Sequence, residues 1–408
     1  MSRRRRATWP KNEWVIRGLL ALFLVGVGIL TVPRTLAFAM RSGNPALAHR
    51  LAPGDGRITA VLSSVMAGPG ATSEERAEAG RLAQRAVRQD PTAVLAISTL
   101  GLNAQVRGDN AGATRLFGYA EILSRRDLQS QIWAIENSVT RGNVAQAIRH
   151  YDIALRTSRD APDLLFPVLA NAIDDAAIRR ALVPTLAQRP VWMDGFIAFV
   201  AGRRENPAAA ASLFHALSQA RVTISQTAQT GVVNNLVANG NVDDAWRYYA
   251  TIRPGVTRQQ SRDPDFTANL ETPSLFDWSV VNDTGISSSI QRGEQGGVVE
   301  FSAASGVGGP LLRQMQFLPP GRYRMVGQSS NIDQPDDALP YWSLRCDQER
   351  ELGRVVIPAS RTGGGRFEGD IDVPADCPIQ YLTLQARPSD RPAGLAGQID
   401  NVRLEAAR

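Results

Sequence analysis

Two pairs of adjacent carboxylates, Asp174-Asp175 and Asp243-Asp244, offer this 408-residue chain the acid and base that glycoside hydrolysis requires. Both pairs stand where helices are expected to begin. There an acid caps backbone N–H groups and meets the favourable end of the helix dipole, so capping is the expected role. Asp333, Asp336 and Asp337 form a looser acidic group, and Asp400-Asn401 lies on the last expected strand. Such oxygens suit a structural calcium ion; a solvated loop and a turn or edge position are the competing readings. The three histidines, His49, His150 and His215, lie far apart in sequence. His150 beside Tyr151 and His215 beside Phe214 read as packing or surface residues of helices. The chain has no Gly-x-Ser-x-Gly elbow, phosphate loop, His-Glu-x-x-His or Cys-x-x-Cys. No catalytic residue, cofactor or catalytic metal is therefore expected, and the alternative is a glycan hydrolase seated in the helices of 162–223.

The aromatic and cysteine candidates lie in the last third. Tyr341 and Trp342 are adjacent on an expected strand, so one faces inward and the other outward. Sugars stack their C–H faces on exposed rings, which makes this pair the candidate ligand contact; the competing reading buries both. Phe276 and Trp278 share a face and are expected in the core. Cys346 and Cys377 are the only cysteines. In an exported chain they suggest one disulfide worth ~3 kcal/mol, with two free buried thiols as the alternative. Gly363-Gly364-Gly365, between Arg361 and Arg366, precedes no helix and reads as a hairpin loop.

The elements that would hold these residues are of two kinds. Arg107-Gly108-Asp109 and Arg141-Gly142-Asn143 stand 34 residues apart, and each opens a matched series: Ala113, Phe117 and Ala120, then Ala147, Tyr151 and Ala154. Ala79, Ala83 and Ala86 fall one period earlier, with Pro91 as terminator, and Gly240-Asn241 with Ala245, Tyr249 and Pro254 repeats the pattern later. A fixed period of this length marks stacked helical hairpins that bury a core only between neighbours. Residues 44–253 resemble tetratricopeptide repeats, most strongly over 70–160. That family places Gly at the interhelical turn, Ala where helices cross and an aromatic between them. Residues 162–223 keep helical periodicity but lose the register. The resemblance implies a scaffold that binds protein partners.

Residues 254–273 are polar and proline-rich and read as a linker, with Phe266 and Leu270 able to pin it to a neighbour. From 274 to 408 eight short alternating runs predict an antiparallel β-sandwich: 275–280, 298–301, 323–327, 341–346, 354–357, 366–371, 379–384 and 397–404. The opening Phe-x-Trp, the Leu-Pro-Pro-Gly-Arg-Tyr turn and the closing Gly-Gln-Ile-Asp-Asn-Val-Arg-Leu resemble the jelly rolls of carbohydrate-binding and galactose-binding-like modules. Polysaccharide is the partner that this resemblance implies.

Net charge is +6 and the isoelectric point 9.8, but the excess is local. Arg3 to Arg6, Lys11 and Arg17 face one acid, Glu13, and the rest is near neutral. The high isoelectric point therefore does not argue for nucleic-acid binding, which wants a basic face on the folded domain, and no nucleic-acid partner is expected. Behind this basic tail of 1–13, residues 14–33 approach the ~20 needed to span a bilayer. The positive-inside rule predicts a single-pass anchor in a bacterial inner membrane, N-terminus cytoplasmic and the bulk periplasmic. A secretory signal cleaved after Ala37-Phe38-Ala39 is the alternative. The whole resembles repeat proteins that accompany polysaccharide synthesis and export in Gram-negative bacteria. The expected function is a non-enzymatic periplasmic scaffold; the alternative is a carbohydrate-binding protein for which the helices are a spacer.

Overall fold

The computed structural model describes residues 11–293, 296–346, 350–360 and 364–407, with the backbone alone for Lys11, Asn12 and Leu30. Arg3 to Arg6, Arg361 and Gly363 lie outside the described residues. The chain divides into two compact units, Met1–Leu169 with Pro190–Trp192, and Ala170–Arg189 with Met193–Arg408.

The first unit opens with α1 (Lys11–Met40), apolar and long enough from Glu13 to Met40 to cross a membrane. Its far end is tied down: Ala37 is wholly buried against Ala48, Ala52 and Ile58. After α2 (Pro45–Leu51) come hairpins formed by α3 (Gly56–Met66) with α4 (Ser73–Gln89), α5 (Val94–Val106) with α6 (Asn110–Leu123), and α7 (Leu128–Thr140) with α8 (Val144–Thr157). The helix α9 (Ala161–Ala172) follows. A complete capping box, Thr72 with Glu75, starts α4.

The repeated Arg-Gly-Asp and Arg-Gly-Asn turns close these hairpins by one mechanism. Gly108 and Gly142 sit at φ +80° and +70°, the left-handed region that glycine enters at no steric cost. Gly108 N–H then donates to Gln105 O at 2.9 Å and Asp109 N–H to Ala104 O at 2.9 Å, a Schellman cap; Gly142 and Asn143 repeat it on Val139 and Ser138. The next residue starts the second helix, since Asp109 and Asn143 accept from Gly112 N–H and Gln146 N–H. Ala79, Ala83, Ala86, Ala113, Ala120, Ala147 and Ala154 are all buried where helices cross. Phe117 stacks on Trp133 with centroids 4.9 Å apart, and its ring comes so near Gly101 that a Cβ there would lie 2.9 Å away.

In the second unit α10 (Ala176–Ala187), α11 (Met193–Gly202), α12 (Pro207–Gln219), α13 (Gln226–Ala238) and α14 (Val242–Ile252) precede the strands. Gly240 and Asn241 rebuild the Schellman turn between α13 and α14. Two five-stranded antiparallel sheets follow. One runs β1-β4-β9-β6-β7: β1 (Ser279–Val280), β4 (Gly309–Gln316), β9 (Gln380–Ala386), β6 (Tyr341–Cys346) and β7 (Arg350–Val356). The other runs β2-β3-β10-β5-β8: β2 (Ile286–Gly293), β3 (Gly296–Ala303), β10 (Leu395–Ala406), β5 (Gly321–Ser330) and β8 (Arg366–Val373). Apart from β1 and β2, the order β3-β10-β5-β8 facing β4-β9-β6-β7 is that of a jelly roll. Trp278, Trp342, Leu344, Leu382, Ile399 and Val402 are among the residues that fill the space between the sheets.

Eight strands were expected and the described residues hold ten; β2 and β4 are the additions. The Ser-rich β2 lacks apolar alternation, and β4 turns Gln314 and Gln316 inward. Those two glutamines have a partner the primary structure hides. Arg262, in the polar stretch before the sandwich, is buried and donates to Phe276 O at 2.8 Å, Gln316 Oε1 at 3.0 Å and Met315 O. Trp246 and Tyr249 of α14 cover it together with Phe276, and Tyr249 Oη donates to Asp277 at 2.7 Å. Phe266 is likewise buried in the sandwich core against Trp278. The chain between helix and sheet is thus part of the packed second unit.

Candidate functional site

Stacking the hairpins lines up their first helices, α3, α5 and α7, and these bound a groove of about 430 Å³ in the first unit. Leu95, Leu102 and Val106 give it an apolar stripe from α5, at the i, i+7 and i+11 spacing of one helix face. Leu95 and Val106 remain exposed at 39% and 55%, while Leu102 is partly buried against the cluster of Ala104, Ala113 and Phe117. Arg76 and Gln129 supply polar rims.

Beneath the stripe lies a buried polar cluster. Asp127 caps α7 by accepting from Ser130 N–H at 3.0 Å and Ser130 Oγ, and Ser98 Oγ of α5 donates to the same oxygen at 2.6 Å. A carboxylate with three donors is held in one rotamer, so the floor of the groove is fixed. Sequence reading did not single out these residues. The available signal was an Asp just before an expected helix, which by itself means only a cap.

His150, as expected for a packing residue, is buried on α8 with Nδ1 2.9 Å from Gln131 Oε1. Burial pulls its pKa below the ordinary value; Glu121, 3.9 Å away, opposes this and Arg149 adds to it. His215 bonds Gln219 on its own helix. Asp175 caps α10, and Asp174 accepts from Asn206. Asp243 and Asp244 occupy the first turn of α14 and pair with Arg258 and Arg247. The structure therefore does not gather these acids into one site.

On the sandwich, Tyr341 and Trp342 point to opposite faces of β6. Trp342 is wholly buried, 5.7 Å from Trp278, and its indole N–H has no partner among the described residues. Tyr341 is half-buried on the outer face. Arg354 lies 4.1 Å and Arg387 5.0 Å from its ring centroid, reaching in from β7 and from the end of β9, which flank β6 on opposite sides. Guanidinium groups thus take the ring faces on which a sugar would stack. Cys346 and Cys377 form a disulfide with Cα atoms 5.7 Å apart. Asp333 pairs with Arg391 at 3.0 Å, and Asp400 accepts from Ser330 Oγ at 3.2 Å. Among the described residues no group of three or more His, Cys, Asp or Glu could hold a metal ion. Gly364 and Gly365 lean on β5, accepting from Gln328 Nε2 and from Ser329 N–H.

No protein-family model matches the chain, and no curated protein matches it. Among solved structures the chain is similar to the crystal structure of PilW, described as a widely conserved type IV pilus biogenesis factor. Identity is 15% and the TM-score 0.26, with 48% of this chain and 93% of that one covered. A likeness of that size carries no argument about function.

Proposed function

We propose that this protein is a non-enzymatic scaffold, anchored by α1, that holds an extended apolar segment of a partner protein in the groove beside α5, in the service of envelope or exopolysaccharide assembly. The observation that carries the reading is the stripe of Leu95, Leu102 and Val106 above a rigid polar floor. Apolar side chains left in water on a fixed surface are what a binding groove spends on its ligand.

The anchor reading is supported by Ala37. Cleavage after Ala39 would remove Ala37, which packs against Ala48, Ala52 and Ile58, and this packing favours an uncleaved α1. Six basic residues at or before Arg17 favour a cytoplasmic N-terminus and a periplasmic remainder. The disulfide suits an oxidising compartment.

A photo-crosslinking residue placed at Val106 in membranes tests the groove, with one at Ile122, 83% exposed on α6, as control. The expected result is one defined adduct from Val106, none from Ile122, and loss of the adduct when Leu95→Asp is added. Equal adducts at both positions, or an adduct indifferent to Leu95→Asp, would sink the proposal.

A further inference from the structure

The outer face of the sheet β1-β4-β9-β6-β7 carries a second surface that the scaffold reading does not use. Cross-strand register puts Arg313 of β4, Thr383 of β9, Ser343 of β6 and Arg354 of β7 on one rung, with Tyr381 and Arg345 on the next. Arg313, Arg345, Thr383, Tyr381 and Gln385 line a depression of about 210 Å³ in the middle of this face. Arg387 extends the same basic field beside Tyr341. Glu351 of β7 pairs with Arg354 at 3.0 Å. Arg313 is exposed and has no ion pair or hydrogen bond among the described residues. Ser343 Oγ is buried on the same face with no partner among them.

We infer that this depression binds a carboxylate-bearing sugar residue of an anionic polysaccharide. Guanidinium forks match carboxylates in a bidentate geometry, and Arg313 offers such a fork beside Arg345. The hydroxyls of Thr383 and Tyr381 and the amide of Gln385 match a ring that carries hydroxyl groups all round. A peptide fits less well. The depression lies mid-sheet between β4, β9 and β6, whose backbone groups are consumed by the ladders, and an added strand needs a free edge. Recognition here is by charge, since the faces of Tyr341 are covered by Arg354 and Arg387. The inference does not rest on the helical groove, which lies in the other unit.

Isothermal titration of the detergent-solubilised full chain with oligogalacturonate tests it, against uncharged cello-oligosaccharide and poly-glutamate of equal charge. Oligogalacturonate is expected to bind, and to bind more weakly as salt rises from 50 to 300 mM, as a charge-led contact must. Arg313→Gln is expected to weaken binding at least tenfold with the melting temperature unchanged, and Arg313→Lys to fall between. Arg324→Gln, on the opposite sheet, is expected to leave binding intact. No binding of oligogalacturonate, equal binding of the uncharged sugar, equal binding of poly-glutamate, or indifference to Arg313→Gln would each overturn the inference; equal binding of poly-glutamate would reassign the face to acidic peptide.

Discussion

Replacing Gly142 by alanine is expected to lower stability by about 1 kcal/mol, the cost of holding an L-residue in the left-handed region. No atom within 4 Å would meet the new Cβ, so the backbone conformation alone sets the effect, read as a shift in thermal midpoint. Arg221 supplies the converse. It closes α12 with the same pair of bonds, its N–H to Ser218 O and Val222 N–H to Leu217 O, but at φ +60° without being glycine. Arg221→Gly is therefore expected to raise the midpoint, by about 0.5 kcal/mol once glycine's greater freedom in the unfolded chain is set against the relief. Acidification acts through His150. Its folded pKa lies below the unfolded value near 6.5, so the unfolded chain takes up the proton first and stability falls as pH drops below that value. Between pH 7 and 5.5 the fall in thermal midpoint should be steeper for the wild type than for His150→Gln.

The second unit turns on α14 and the chain that follows it. Burial pulls Arg262 down to about 10, still charged at neutral pH, while Asp277 and Tyr249 oppose the shift. A charge held this way has no water to return to when its partners go. Tyr249→Phe should cost about 1.5–3 kcal/mol for a hydrogen bond to a buried carboxylate, and Arg262→Ala about 3–5 kcal/mol for the broken buried network. A change in either midpoint under 0.5 kcal/mol would mean that the segment is only a tether. The same element shows what primary structure can and cannot convey. The hairpins of 70–160 were legible because each turn carries a glycine and each crossing an alanine at one period. The register disappeared after 162 for a physical reason: Arg221 makes the turn bonds without the marker residue, and Pro167 and Pro184 lie inside α9 and α10. An arginine in a proline-rich stretch reads as solvent-facing, so its burial between glutamines of β4 could not be anticipated. For the candidate groove, Leu102 and Val106 fit any amphipathic helix, and only the stacked neighbours reveal that Leu95 and Val106 stay uncovered. The outward turn of one residue at 341–342 was legible from alternation, but the arginines that cover Tyr341 come from two other strands.

At the scale of the whole molecule, the anchor and the disulfide make one joint prediction. The bond between Cys346 and Cys377 closes a loop 31 residues apart in sequence, which in the chain-entropy model is worth about 3–4 kcal/mol. It joins the end of β6 to the loop before β9, both inner strands of the sheet that bears the basic face. A sandwich that draws this much on one bond suits a compartment where thiols oxidise, the one that the proposed orientation of α1 gives it. Labelling of intact membranes with a maleimide polymer checks both ideas together. The full chain should take no label under denaturing conditions until a reductant is added, and then two labels per molecule. Two labels without reductant would place residues 346 and 377 in a reducing compartment and reverse the proposed orientation of α1. The paired substitution Cys346→Ala with Cys377→Ala separates the energetic half of the claim. It should lower the midpoint of the sandwich by an amount matching 3–4 kcal/mol, and a loss below about 1 kcal/mol would show that the β-sheet core holds without the bond.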